Sequence, residues 1–190
     1  MNLPNKLTLV RCVLAPLILL VLLWNFPWHY AVALVLFAAA SLTDMLDGRI
    51  ARSRGLVTNL GKFLDPLADK MLTTAAFLGF MVKLPWNGLC WAVMLILSRE
   101  FMVTSVRLLA AKDGVVVAAS FAGKLKTVMQ MIAILYMLAA LQVGDVVATR
   151  PQMCQWLLLI GYILIWVSAV LTVISGVQYV WKLRHYFKEN

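Results

Sequence analysis

Charged side chains are scarce in this sequence, since Asp, Glu, Lys and Arg make up 13% of its 190 residues. A soluble domain carries about 25%. Hydrophobic residues reach 63%, well above the roughly 45–50% of soluble proteins. A soluble globule, a disordered chain and a coiled coil are therefore excluded, because none of them has so little charge and so much apolar surface. We expect an integral membrane protein.

Cysteine and histidine are also scarce. Cys12, Cys90 and Cys154 lie far apart, without the C-x-x-C spacing of zinc or redox sites, and His29 and His185 are the two histidines. The sequence therefore indicates neither a disulfide framework nor a zinc site. We expect the three cysteines to be buried apolar residues.

A long uncharged run extends from Cys12 to Thr43 and contains Asn25 and Pro27 among aromatic residues. A hydrocarbon core about 30 Å thick is crossed by about 20 helical residues. A single segment in lipid must be helical, because only a helix pairs its backbone N–H and C=O groups within the segment. We predict helix one at about residues 6–24 and helix two at about residues 28–51, joined by a tight turn.

Further apolar stretches follow Asp69, Trp86, Ser120 and Pro151. The polar or glycine-containing breaks between them fall at residues 83–86, 113–114 and 143–145. Internal repeats and long linkers are not evident. The sequence thus predicts an all-α integral membrane protein with six transmembrane helices in a single domain, residues 1–190.

The basic residues predict the orientation of these helices. With six crossings, all 17 Lys and Arg residues except Lys83 and Arg150 fall on one side. The positive-inside rule then places both termini in the cytoplasm of a multi-pass protein of the inner (cytoplasmic) membrane. Four tryptophans lie near the expected outer ends, as in an interfacial belt: Trp24, Trp28, Trp86 and Trp156. The net charge of +9 favours anionic lipids or an anionic substrate over nucleic acid.

Half of the eight acidic residues crowd into one segment: Asp44, Asp47, Asp65 and Asp69. The first two are spaced i, i+3 and the last two i, i+4, so each pair shares one face of its helix. A short polar connector, residues 53–60, makes helices two and three antiparallel neighbours. We therefore expect four carboxylates to converge at the cytoplasmic ends of these helices.

Converging carboxylates repel one another unless a cation resolves the repulsion. Oxygen ligands without Cys or His favour Mg²⁺, Mn²⁺ or Ca²⁺ over zinc, and four carboxylates could hold two ions. The alternative is ordinary ion pairing at the membrane rim with the nearby basic residues Arg49, Arg52, Arg54, Lys62 and Lys70. We favour a metal site, since acids within membrane segments usually serve function.

Small residues accompany the acids: Gly48, Ala51 and Gly61. A glycine inside a helix lowers helix stability by about 1 kcal/mol relative to alanine, so the presence of Gly48 calls for a structural or functional explanation. Close approach of a ligand and close packing of another helix explain it equally well. Pro66 is expected in the first turn of helix three, where no backbone donor is lost.

Residues 44–69 fit the pattern D-x2-D-G-x2-A-R-x8-G-x3-D-x3-D at every fixed position. This pattern resembles the signature of the CDP-alcohol phosphatidyltransferases, membrane enzymes that displace CMP from a CDP-linked lipid with an alcohol. Four segments resemble the bacterial phosphatidylglycerophosphate synthases of that family, namely residues 2–11, 57–70, 98–107 and 123–131. The resemblance covers about the first 130 residues.

The resemblance implies roles for the aspartates. Asp44, Asp47 and Asp65 would be metal ligands, and Asp69 would lie beside the metals, Mg²⁺ or Mn²⁺, as the general base. Family members have six transmembrane helices and a cavity on the cytosolic side, and they are typically homodimers. The expected reaction transfers the phosphatidyl group of CDP-diacylglycerol to sn-glycerol 3-phosphate in phospholipid biosynthesis. Neither histidine accompanies the acids, so a single displacement without a covalent enzyme intermediate is preferred.

Two further groups of residues are candidates for substrate binding. Those expected to bind CDP-diacylglycerol are Asn5, Thr8, Gly48, Ala51, Arg52 and Gly61, although the first two could equally be capping residues. Those expected to bind the phosphate of the acceptor are Arg99, Arg107, Lys124 and Lys126, although positive-inside topology and snorkelling explain each of these equally well. The adjacent Arg99 and Glu100 lie well before the expected helix end near Ala111, so we expect them at a polar cavity or in an internal ion pair.

Other functions fit parts of the sequence. Cardiolipin, phosphatidylserine and phosphatidylinositol-phosphate synthases of the superfamily would share the signature and differ in the acceptor. A cation-coupled transporter would also use intramembrane acids, but its site usually lies near the midplane and between repeats. A structural lipid-binding protein would explain the basic rim but not the four aspartates.

Overall fold

The computed structural model describes the backbone of residues 3–54, 59–112, 121–147 and 149–183, and the side chains of residues 8–43, 67–107, 121–147 and 149–181. All regular secondary structure in these ranges is α-helical, which confirms the predicted all-α class. The six helices described are α1 (Leu3–Leu23), α2 (His29–Arg54), α3 (Asn59–Lys83), α4 (Asn87–Lys112), α5 (Phe121–Val146) and α6 (Pro151–Leu183).

The helix boundaries follow the turn-forming residues. The predicted tight turn lies between Leu23 and His29, and Trp28 within it has a positive φ of 69°. The predicted break at residues 83–86 separates α3 from α4. Pro151 begins α6, where its missing N–H costs no helical hydrogen bond. The break predicted at residues 113–114 lies outside the described residues.

Two boundary predictions were wrong. α5 continues through Gly144 to Val146, so the connector begins after the predicted break at residues 143–145. A single glycine lowers helix stability by only about 1 kcal/mol, which neighbouring apolar residues offset. α3 begins at Asn59, so Pro66 does not lie in its first turn. Proline is favoured in the first turn of a helix but is not confined to it, so Pro66 does not mark the helix start.

Several of these helices are apolar enough for a membrane. In the described part of the chain, the segments that are long and apolar enough to span are Asn87–Arg107, Phe121–Val146 and Pro151–Trp181. Two shorter apolar helical segments, Thr8–Leu23 and His29–Thr43, precede them. The chain is therefore a multi-pass membrane protein by length and composition, whereas six crossings and cytoplasmic termini stay predictions.

One compact unit comprises Met1–Pro85 and Ile134–Leu158. In it α1 packs against α2 and α3. The contact between α1 and α3 is close at Gly79, where an added Cβ would meet the buried side chain of Leu22. Gln142 of α5 accepts a hydrogen bond from the backbone N–H of Ala31 at 2.8 Å. This side chain satisfies one of the unpaired donors at the start of α2.

The other compact unit comprises Trp86–Ala133 and Leu159–Asn190. In this unit α4 and α6 run parallel, because successive residues of α4 meet successive residues of α6. The contacts are Gly88 with Tyr162, Arg99 with Gly176, and Val103 with Tyr179. Two parallel helices separated in sequence by one helix require the chain to return between them. This direction agrees with the predicted odd and even crossings. The expected single domain stays a prediction.

Candidate active site

The signature residues lie on two helices, as predicted. Asp44 and Asp47 lie on α2, and Asp65 and Asp69 lie on α3. Each pair therefore shares a helix face. The side chains of the first three aspartates lie outside the described residues, as do those of the proposed donor-lipid residues Asn5, Gly48, Ala51, Arg52 and Gly61. The predicted convergence of four carboxylates stays a prediction.

Asp69 is the signature aspartate whose side chain is described. Its neighbours on α3, Ala68 and Leu72, are buried, whereas the Asp69 side chain is 40% exposed. Oδ2 of Asp69 lies 3.5 Å from Nζ of Lys70, which is longer than the 2.7–3.2 Å usual for such a hydrogen bond. Within the described residues, Lys70 is the one hydrogen-bond partner of this carboxylate. Asp69 is thus accessible and weakly bound.

The pairing of Asp69 with Lys70 is the ion-pair arrangement that we weighed against a metal site. A long contact between a half-exposed carboxylate and its sequence neighbour is a weak interaction, of about 0–1 kcal/mol. It leaves the carboxylate able to accept a proton or to approach a cation. The described contacts of Asp69 therefore agree with either role.

α1 contributes two buried polar residues beside its apolar ones. Thr8, which we expected to bind CDP-diacylglycerol or to cap a helix, is 1% exposed and so lies inside the protein. Arg11 is 3% exposed and was used in the sequence analysis only for topology. A guanidinium is rarely buried unless an acceptor or anion meets it. The sequence signal was a charge on α1 directly before the long uncharged run that begins at Cys12.

A second polar cluster lies on α4 and α5. Nζ of Lys126 lies 2.6 Å from Oε1 of Glu100, and the two side chains are 6% and 5% exposed. The expectation of an internal ion pair at residues 99–100 is confirmed for Glu100. Gln130 lies one helical turn after Lys126, is 2% exposed, and its Nε2 has no hydrogen-bond partner among the described residues. Sequence analysis missed Gln130, although the i, i+4 spacing of Lys126 and Gln130 was visible.

The other three cations proposed for the acceptor phosphate have different surroundings. Lys124 and Arg107 are exposed, and the guanidinium of Arg107 lies 5.4 Å from the centre of the Tyr179 ring. Arg99 is half-buried against Gly176 of α6. The structure therefore does not give these residues one shared environment. Their binding of a phosphate stays a prediction.

The cysteines are free in the structure. Cys90 is exposed, and Cys12 and Cys154 are partly buried, so the expectation of three buried cysteines was wrong. An exposed cysteine on α4 is compatible with a lipid-facing surface, because a thiol behaves as a small apolar group.

Comparison with known proteins agrees with the signature on α2 and α3. The model of the family described as CDP-alcohol phosphatidyltransferase matches residues 1–174. This chain belongs to the CDP-alcohol phosphatidyltransferase family. The match reaches into α6, well beyond the first 130 residues that the segment resemblances covered.

Curated members of the CDP-alcohol phosphatidyltransferase family match nearly the whole chain. A CDP-diacylglycerol--glycerol-3-phosphate 3-phosphatidyltransferase of Bacillus subtilis is 40% identical, covering 94% of this chain and 93% of its own length. A protein of the same name from Rickettsia bellii is 36% identical, covering 98% of this chain and 97% of its own length. A probable phosphatidylglycerophosphate synthase of Mycobacterium tuberculosis is 40% identical, covering 94% and 80%.

The family motif supplies four carboxylates on α2 and α3, and carboxylates are the ligands that Mg²⁺ and Mn²⁺ prefer. Asp69 fits this use, since it is half-exposed and held by one long contact. The described residues contain no group of three or more His, Cys, Asp or Glu side chains that could hold a metal elsewhere. A cation site at the signature stays a prediction.

Proposed function

We propose that this protein transfers the phosphatidyl group of CDP-diacylglycerol to sn-glycerol 3-phosphate, giving phosphatidylglycerophosphate and CMP. The observation that carries this proposal is the near full-length identity to relatives named for this reaction, at 40% and 36%. The complete aspartate signature supports it, because its eight fixed positions are those expected for this chemistry. The enzyme would act in phospholipid biosynthesis.

The four aspartates would hold the divalent cations. Asp44, Asp47 and Asp65 are the proposed ligands of two Mg²⁺ or Mn²⁺ ions, with Asp69 at their edge. When bound, such ions neutralise the charge of a pyrophosphate and of the departing nucleotide. The spacing on α2 and α3 supports this set, because each pair presents two carboxylates on one helix face.

Asp69 would act as the general base. Its carboxylate accepts the proton of the glycerol 3-phosphate hydroxyl while that oxygen bonds to the lipid-bearing phosphorus. The bond from this phosphorus to the CMP oxygen breaks, and CMP leaves with the electron pair. The exposed carboxylate with one long contact to Lys70 supports this role, because a base must reach its proton within hydrogen-bond distance.

The two substrates would use different parts of the chain. The proposed contacts with the cytidine diphosphate are Asn5, Gly48, Ala51, Arg52 and Gly61, and Thr8 would support them from inside. The acceptor phosphate would meet the exposed Lys124 and Arg107 first. Lys126 is already hydrogen-bonded to Glu100, so we assign it the support of that region rather than the first contact.

The active site would face the cytoplasm. Six transmembrane helices, cytoplasmic termini and a location in the inner membrane are proposed from the distribution of Lys and Arg. The parallel packing of α4 and α6 supports this topology, since an intervening helix must cross back. A homodimer is proposed from the family resemblance.

Release of CMP by the detergent-purified protein tests the proposed function. CDP-diacylglycerol and Mg²⁺ or Mn²⁺ are supplied, with glycerol 3-phosphate, serine, inositol phosphate or phosphatidylglycerol offered separately. We expect metal-dependent release with glycerol 3-phosphate alone. Release with another acceptor would reassign the substrate within the family. Absence of release with every acceptor, from folded protein, would contradict the proposed function.

A further inference from the structure

A pocket of about 560 Å³ lies beside the turn that joins α1 to α2, in the compact unit of Met1–Pro85 and Ile134–Leu158. Three aromatic rings line it, those of Phe26, Trp28 and Tyr30. His29 at the start of α2 and Asp145 near the end of α5 line it as well. We call this cavity the turn pocket. Its volume lies within the range of about 300–1,000 Å³ that is common for small-molecule sites.

The turn pocket lies at the opposite end of α2 from the aspartate signature. Between His29 and Asp44 the helix rises about 22 Å, at 1.5 Å per residue. In the predicted topology this end of α2 faces the outer surface of the membrane, where Trp28 belongs to the expected interfacial belt. The turn pocket is therefore a second site and not a part of the candidate active site.

Hydrogen bonds fix the walls of the turn pocket. The carbonyl oxygen of Phe26 accepts a hydrogen bond from the backbone N–H of His29 at 3.2 Å and another from its Nδ1 at 2.8 Å. Gln142 of α5 accepts one from the N–H of Ala31 at 2.8 Å. Trp28 has a positive φ of 69°, which is uncommon for a bulky residue, and its indole is 60% exposed. Strained residues that their surroundings hold in place concentrate at ligand sites.

Two acceptors at the turn pocket have no donor. The carboxylate of Asp145 is exposed, and in the described part of the chain it has neither a hydrogen bond nor an ion pair. Nδ1 of His29 donates its hydrogen, so Nε2 of the neutral ring is an acceptor, and this buried atom has no partner among the described residues. The nearby Lys83 donates to Asn25 instead. Charge complementarity therefore favours a cationic occupant that donates hydrogen bonds.

The aromatic rings favour an organic cation over a metal ion. The face of an aromatic ring attracts a cation within about 6 Å of its centre, and Nζ of Lys83 already lies 5.9 Å from the centre of the Tyr30 ring. A metal site needs several ligating side chains, and the described residues contain no group of three or more His, Cys, Asp or Glu. One carboxylate among aromatic rings is instead the arrangement that suits an organic ammonium group.

We propose that the turn pocket binds an organic ammonium group, which donates a hydrogen bond to the carboxylate of Asp145 and lies beside the rings of Trp28 and Tyr30. The ammonium group belongs either to the headgroup of an aminophospholipid in the outer leaflet or to a soluble amine. No step of the proposed reaction uses these residues, so this site does not rest on the proposed function.

Native mass spectrometry of the full-length protein in detergent tests the turn pocket. The probes are phosphatidylethanolamine and its N-acetylated form with identical acyl chains, which lacks the ammonium charge. Both are titrated without divalent metal or CDP-diacylglycerol. We expect Asp145→Asn to weaken phosphatidylethanolamine binding about tenfold in one adduct, through loss of a hydrogen bond between charged groups, and to leave the N-acetylated lipid unaffected. An equal loss for the two lipids would overturn the proposal, because the effect would not depend on the ammonium group.

Substitution of the aromatic wall tests the contribution of the rings. We expect Trp28→Leu to weaken binding of the ammonium probe about threefold, through loss of a cation–π contact. Trp156→Leu is the matched control, because Trp156 is an exposed tryptophan near the same predicted surface but outside the turn pocket. Equal effects of the two variants would mean that tryptophans act only as general interfacial anchors, which would contradict the proposal.

A soluble probe distinguishes the two sources of the ammonium group. Ethanolamine is titrated by isothermal calorimetry into the same protein and into Asp145→Asn, with N-acetylethanolamine as the neutral analogue. Ethanolamine binding that is lost in Asp145→Asn would support the turn pocket with a soluble amine as its ligand. Dependence on Asp145 for phosphatidylethanolamine alone would support it with a lipid headgroup.

Asp145→Glu keeps the carboxylate and should retain most of the binding, and the unfolding temperature of each variant checks the fold. If Trp28→Leu does not fold, the comparison of Asp145→Asn with Asp145→Glu still decides. The proposal is overturned if neither phosphatidylethanolamine nor ethanolamine binding depends on Asp145.

Discussion

Lys126 of α5 and Glu100 of α4 form a buried ion pair, with 2.6 Å between Nζ and Oε1. Removing one member of a buried ion pair takes a charged partner from the other, which costs about 3–5 kcal/mol. We expect Lys126→Met to lower the unfolding temperature strongly in detergent, and the double variant Glu100→Leu with Lys126→Met to recover most of that loss.

The control for this pair is Lys124→Met on the same helix, because Lys124 is exposed. Its effect on stability should lie within about 0.5 kcal/mol. A double variant as unstable as the sum of the single variants would contradict the coupling of Glu100 and Lys126.

Asp69 offers a direct test of the proposed base. Asp69→Asn keeps the size of the side chain, but its amide cannot take the proton of the glycerol 3-phosphate hydroxyl as a carboxylate can. We expect kcat for CMP release to fall about 10²–10⁴-fold with little change in the KM for CDP-diacylglycerol. The measurement is steady-state CMP release at saturating metal.

Asp145→Asn is the matched control for Asp69→Asn, because Asp145 is an exposed aspartate near the end of α5. It should leave kcat unchanged. Unchanged turnover of Asp69→Asn, in protein that still binds Mn²⁺, would remove Asp69 as the base.

The helices could be predicted from the sequence because hydrophobic runs and turn residues are local signals. The turn between Leu23 and His29 and the break after Lys83 were both predicted and found. Gly144 was misleading, since a lone glycine weakens a helix without ending it. The predicted connector, residues 53–60, ends within two residues of the start of α3 at Asn59. Pro66 was wrongly placed in the first turn, because that turn is a favoured position for proline and not a required one.

In the candidate site, too, the local features could be predicted and the features that depend on tertiary packing could not. The aspartate pattern and its helices were visible in the sequence, since spacing fixes the shared face. The pairing of Glu100 with Lys126 was only half visible, because sequence predicts an intramembrane charge but not which distant helix supplies its partner. The burial of Gln130 and the contact of Arg99 with Gly176 depend on tertiary packing and could not be predicted.

Gly79 packs against Leu22, and its substitution tests the contact of α1 with α3. A Cβ at Gly79 would lie 2.5 Å from Cδ1 and 3.2 Å from Cβ of Leu22, which is fully buried. We expect Gly79→Leu to destabilise the protein by about 1–3 kcal/mol through overpacking. Thermal unfolding in detergent measures this change.

Gly144→Leu is the matched control for Gly79→Leu. Gly144 also lies within a helix, but an added Cβ would meet nothing within 4 Å. Leucine should therefore stabilise this position by about 0.5–1 kcal/mol through helix propensity. Equal effects of the two leucines would show that α1 and α3 do not pack closely at Gly79.

Lys124 tests where the acceptor phosphate binds. The side chain is exposed, so an anion can reach it without breaking an existing buried ion pair. We expect Lys124→Gln to raise the KM for glycerol 3-phosphate about tenfold, with kcat nearly unchanged. The reason is that a hydrogen bond to the charged phosphate is lost both in the substrate complex and in the transition state. Arg150→Gln, an exposed cation on the side predicted to face outward, should leave this KM unchanged. An increase in KM that is equal for both variants would indicate a general effect of net charge rather than a phosphate contact at Lys124.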